Sequence, residues 1–177
     1  MIEFITNPEV QNIVDLVGEV IADVRAEYDP EGGEKPYYLH GHPMEIVNTL
    51  LERNENAELK YKKYPLVALF EDFEAEGPEG IFRSKAKLNI ILMTNSDQNW
   101  KAEQRYANSF NTTLTPIYNL FLKHMKRKRG LHINKRSVPH KPINHLSWGK
   151  KDLGAFGIDF IDAIELKDLD IKVYRNS

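Results

Sequence analysis

Apolar residues first recur along this chain with the period of a helix. Ile13, Val14, Leu16, Val17, Val20, Ile21 and Val24 repeat at spacings of three and four and make one broad apolar face. Glu19, Asp23, Arg25 and Glu27 fall mostly off it. Asn7 stands where it can cap this helix, and Pro8 takes the first helical position, where a missing N–H costs nothing. Asp29, Pro30, Gly32 and Gly33 end the helix near Tyr28, and the stretch 29–36 reads as a flexible loop. A second, shorter helix starts at Pro43. Met44, Ile46, Val47, Leu50 and Leu51 form its face, and Asn54 to Asn56 end it.

The pattern then changes. Leu66 to Phe70 is an unbroken apolar run, as expected of a strand covered on both faces. The next strand alternates: Phe82, Ser84, Ala86, Leu88, Ile90 and Leu92 share one face, and Arg83, Lys85, Lys87 and Asn89 the other. The two strands predict an antiparallel hairpin with its tip over 74–80. A third helix follows over Trp100 to Lys128, where Tyr106, Phe110, Leu114, Ile117, Phe121 and Met125 draw a single core-facing stripe. Pro116 should kink or loosen it near its middle. The segment 130–156 is polar and irregular. In the closing stretch, Ile164 and Leu166 are followed by Leu169, Ile171 and Val173, a change of parity that predicts a bulge around Lys167 and Asp168. The fold class expected is α+β over one domain, 1–177. A mainly antiparallel sheet with a strand hairpin should be packed on one face by the N-terminal helix and the long central helix.

Composition narrows the function more than the fold. With 177 residues, 41% of them hydrophobic and 28% charged, the chain can bury a real core in one domain. A net charge of −2 supplies no global drive toward nucleic acid. The absence of cysteine excludes disulfides and thiolate metal sites. The opening residues MIEFITNPEV do not read as a signal peptide. No run approaches the roughly 20 apolar residues that span a bilayer, so no membrane partner is expected.

Candidate chemistry is sparse. His40 and His42 lie two residues apart with no third ligand at a suitable spacing, so a turn with helix capping is expected there and no metal. Asp162, Glu165 and Lys167 spell the D-x-x-E-x-K of metal-dependent nucleases. In an unbroken strand, however, Asp162 points away from the other two, and Asp152 has little support as a substitute. No G-x-S-x-G, P-loop or H-E-x-x-H occurs. No catalytic residue and no cofactor are therefore expected. What remains is surface charge. Glu71, Asp72, Glu74 and Glu76 make the hairpin tip acidic, while Arg83, Lys85 and Lys87 make the emerging strand basic. Lys126, Arg127, Lys128 and Arg129 exceed what a helix C-terminus needs to satisfy its dipole. Trp148 offers an aromatic anchor in the irregular stretch. These are the candidate interface or DNA-facing residues.

Several of these segments together resemble a known family. They are YPLVALFEDF, the strand ending LNIILMTNS, the helix with E-Q-R-Y-x-x-S-F and TPIYNLFLKHM, and HLSWGKKDLGAFGIDFIDAIELKDLDIKV, spanning about Tyr64 to Val173. They look like small proteins encoded among the structural genes of tailed bacteriophages and related prophages. The order helix, strand hairpin, helix, strand is also similar to that of tail terminator and tail completion (head–tail joining) proteins. The resemblance implies a tail-terminator-like fold and a structural virion protein, assembled in the host cytoplasm. It would form a homo-oligomeric ring, often a hexamer, at the neck and tail junction. Its partners would be its own copies, the tail tube and neck or connector proteins, with the basic residues facing acidic neighbours or passing DNA. The alternatives are a metal-dependent nuclease, another neck or connector protein, and a soluble monomeric adaptor.

Overall fold

In a computed structural model the chain is described over residues 8–31, 33–56, 58–59, 62–77, 82–133, 138–146 and 160–174. The helix α1 (Pro8–Glu27) is followed by β1 (Tyr37–Gly41), α2 (Pro43–Glu55), β2 (Leu66–Phe70), β3 (Ala75–Glu76) and β4 (Phe82–Asn95). A long helix comes next, made of α3 (Ala102–Arg105), a π-helical segment (Tyr106–Leu114) and α4 (Thr115–Arg127). The chain closes with β5 (Leu131–Ile133), β6 (Lys141–Leu146) and β7 (Ile161–Tyr174). The strands form one seven-stranded sheet in the order β1-β2-β4-β7-β5, with β3 also paired to β4 and β6 also paired to β7. Among the described strands only β1 and β2 are parallel; the other pairs are antiparallel. The fold is thus α+β with a mainly antiparallel sheet.

β1 has no local signal in the sequence. It exists because Tyr37–Gly41 pairs with Leu66–Phe70, and α2 makes the crossover that a parallel pair requires. Gly41 ends it at φ 138°, where a Cβ would stand 2.8 Å from Glu45 Oε2. His42 then caps α2: its Nδ1 accepts from Met44 N at 3.2 Å, and Glu45 Oε2 accepts from His42 N at 2.9 Å. Of the expected α2 face, Ile46 and Leu50 are buried, but Met44 is 50% exposed because it follows the cap at the helix mouth. The segment expected to be irregular over 130–156 contributes β5 and β6, two short edge strands that lie end to end along β7. Pro142 weakens the strand signal of β6, yet an edge position tolerates it.

Both faces of the sheet are covered, but not to the same extent. On one face, α1 and α4 bury Ile13, Val17, Val20, Ile21, Val24, Ile117, Phe121 and Met125 against Leu88, Ile90, Leu92, Leu166 and Leu169. On the other, α2 covers only part, with Ile46 and Leu50 on Leu66, Ala68, Ile91, Met93, Ile161 and Ala163. The unbroken run in β2 follows from this: Val67 and Leu69 belong to the first cluster, Leu66 and Ala68 to the second.

The bulge lies where the parity of β7 changes. Leu88 pairs with Leu169 and Ile90 with Leu166, so Lys167 and Asp168 together face Asn89. Asp168 has φ 55°, and its N–H donates to Asn89 Oδ1 at 3.1 Å. The extra residue keeps apolar positions on the helix-covered face on both sides of the bulge.

Pro116 loosens the long helix in a specific way. A regular turn would aim the pyrrolidine ring at the Thr112 carbonyl. The preceding nine residues instead run as a π-helix, and Thr115 N–H donates five residues back to Phe110. Tyr106 is 49% exposed, contrary to the expected stripe, although its ring stays 5.2 Å from that of Phe110, while Arg105 is 2% exposed.

Candidate functional site

The part of the second sheet face that α2 leaves uncovered is charged. Past Ile91, the outward positions of β4 are Asn89, Lys87 and Lys85. Lys87 stands opposite Asp170 of β7, and Lys85 lies between Glu76 of β3 and Lys172 of β7. His132 of β5 faces Lys172 from the far side. One row thus runs Glu76, Lys85, Lys172, His132 across four strands. The β2–β3 connection closes over this surface and leaves a groove of about 350 Å³, lined by Asp72, Glu74, Glu76, Lys85, Lys87, Asn89, Asp168 and Asp170 along with Phe73 and Ala86. Asn89 ties its two sides together, since Nδ2 donates to Asp72 Oδ1 at 3.5 Å while Oδ1 holds the Asp168 backbone.

The expected hairpin residues Asp72, Glu74, Glu76, Lys85 and Lys87 therefore do converge. Glu71 does not: it pairs with His40 on β1, and its N–H donates to Gly41 O at 3.1 Å. Trp148 lies outside the described residues, as does the side chain of Arg83. Asp168, Asp170, Lys172 and His132 were not singled out from sequence. The signal was present for three of them, because Asp168, Asp170 and Lys172 alternate with Leu169, Ile171 and Val173.

The basic helix end divides. Lys128 turns back onto α1, with Nζ 2.7 Å from Glu19 Oε2 and 3.9 Å from Asp23 Oδ2. Lys123 and His124 both engage Glu27, and the hydrogen bond from Lys123 is the main reason the Glu27 carboxyl sits below its ordinary range. Lys128 is thus a contact between helices. Lys126, Arg127 and Arg129 are exposed. They lie at the Tyr174 end of the sheet, where Tyr174 N–H donates to Gly130 O at 2.8 Å.

The acid of the nuclease-like triplet has a different partner. Asp162 is fully buried on the helix-covered face, 2.9 Å from Arg105 Nη1. Ser96 Oγ accepts from Arg105 Nη1 at 2.5 Å and donates to Asp162 Oδ2 at 2.7 Å. Arg105 also donates to the carbonyls of Trp100 and Asp97, which anchors the turn between β4 and α3. Glu165 lies on the opposite face of β7, in register with Ile91 and Lys141. Asp162 and Glu165 thus do not meet on one surface. Among the described residues, no group of three or more His, Asp or Glu is arranged to hold a metal ion. No described helix is long and apolar enough to cross a membrane.

Neither a scan against protein-family models nor a search of curated proteins finds a match to this chain.

Proposed function

We propose that this chain is a structural subunit of a tailed-bacteriophage virion, a tail terminator or head–tail joining protein that works as a homo-oligomeric ring. Its mechanism is the formation of contacts and not chemistry. The observation that carries this reading is the charged half-face of the sheet that no described helix covers. A row of Glu76, Lys85, Lys172 and His132, drawn from three separate stretches of chain, runs across four strands there. Lys85 and Lys172 lie directly opposite one another, with Glu76 on the other side of Lys85. The sequence resemblance over Tyr64 to Val173 supports the same class. The most strongly buried ionic group, Arg105–Asp162, holds a turn in place, in keeping with a protein that uses its charges to fix shape.

The test is the mass of the purified chain at several concentrations, by sedimentation, together with negative-stain micrographs of the chain mixed with tail tubes. Rings at tube ends are the expected result. A chain that stays monomeric in solution and in the particle removes the ring.

A further inference from the structure

A second groove, of about 710 Å³, opens at the other end of the sheet, where the 27–34 loop, the π segment and the start of α4 meet the Asn95 end of β4. Among the described residues its charged lining is acidic throughout: Glu27, Asp29, Glu31 and Glu34, with no lysine or arginine. Glu27 is turned toward Lys123 and His124, and Glu34 accepts from Tyr37 Oη at 3.3 Å. Asp29 and Glu31 are exposed. Tyr28, Pro116 and Leu120 supply apolar surface beside them. An apolar floor with carboxylates at its rim fits a lysine or arginine, whose stem packs on the floor while its head meets the acids.

The chain carries such side chains at its opposite end. Lys126, Arg127 and Arg129 are exposed where α4 finishes, and Lys126 lies six residues, about 9 Å along the helix, beyond Leu120 of the groove lining. Lys123 and His124 of the same helix already meet Glu27, whereas Asp29 and Glu31 stay exposed. We propose that the groove takes the Lys126–Arg129 end of a second copy. The contact joins two different patches, so repeating it produces a closed ring or an open filament and not an isolated pair. The inference rests on the ring reading above and assigns the contact between copies, leaving the charged half-face of the sheet for the ring's neighbours.

Two charge reversals test it, both at exposed positions: Asp29→Lys with Glu31→Lys in the groove, and Lys126→Glu with Arg127→Glu at the helix end. Circular dichroism checks that each variant folds, and sedimentation at low salt reads association. Each variant alone should associate roughly a hundredfold more weakly than the unaltered chain. Mixing the two restores assembly, because every contact then pairs opposite charges, and a chain carrying all four changes assembles by itself. If the unaltered chain forms rings and both variants form them equally well, this contact is wrong and the ring reading survives. Variants that dissociate but do not recover on mixing also overturn it, since the patches then do not meet each other. An unaltered chain that is monomeric at every concentration removes both readings.

Discussion

Arg105 and Asp162 are 2% and 0% exposed, and each is held by more than the other. Taking two charges out of water is costly, and their attraction offsets that cost only when every remaining polar atom is satisfied. Arg105→Ala or Asp162→Ala should therefore cost about 3–5 kcal/mol, because either leaves a charge buried alone. Replacing both, as Arg105→Met with Asp162→Leu, should come out close to neutral. Urea unfolding of the parent and the three variants measures this, and single variants within about 1 kcal/mol of the parent would show that water reaches the site. Glu27 is a different case, an exposed carboxylate whose titration is pulled down from its ordinary value of 4.5 mainly by Lys123. A group depressed in the folded state contributes stability above its unfolded value and loses it as pH falls through the folded one. Glu27→Gln should therefore flatten the acid side of the stability profile, with the thermal midpoint falling less between about pH 6 and pH 3 than in the parent. Added salt should shrink the difference.

At the level of elements, the long helix and β7 each break their own regularity to keep apolar positions inward. Phe121 is buried against Leu88 and Ile90 beside Ile117, as the periodicity predicts. Phe121→Ala should cost about 3–5 kcal/mol in chemical denaturation, and a loss below about 1 kcal/mol would contradict this packing. In β7 the bulge depends on a residue that accepts φ 55°. Asp168→Gly should be tolerated, whereas Asp168→Val, β-branched at positive φ, should cost about 1–3 kcal/mol. If valine is as stable as glycine there, the strand has another way to resolve its parity, and amide exchange across Leu166 to Leu169 would reveal the altered register.

For the whole molecule the unequal cover of the sheet matters most. Among the described residues, two helices close one face, one short helix closes part of the other, and the remainder carries Glu76, Lys85, Lys87, Asp170 and Lys172. Lys85→Glu with Lys87→Glu should leave the fold intact, because Lys87 is exposed and Lys85 only half-buried, but on the proposed function it should impair joining to tails. Complementation of a defective phage by the altered chain reads this outcome. Normal numbers of infectious particles would show that this face has no part in assembly.

Local pattern alone determined α1, α2, β2, the alternation of β4, the capping role of His42 and the bulge in β7. Each is set by neighbours within a few residues or by a period that runs through one segment. Tertiary structure decided the rest. β1, β5 and β6 lack the apolar run or alternation that marks β2 and β4, and they become strands only by pairing with β2 and β7. The burial of Arg105 depends on Asp162, Ser96 and the carbonyls of Asp97 and Trp100, most of them distant in sequence or set by the turn after β4. The candidate surface was half legible: the hairpin charges could be read along the chain. That Asp170 and Lys172 stand beside them follows from a strand pairing across more than eighty residues of sequence, which no local periodicity encodes.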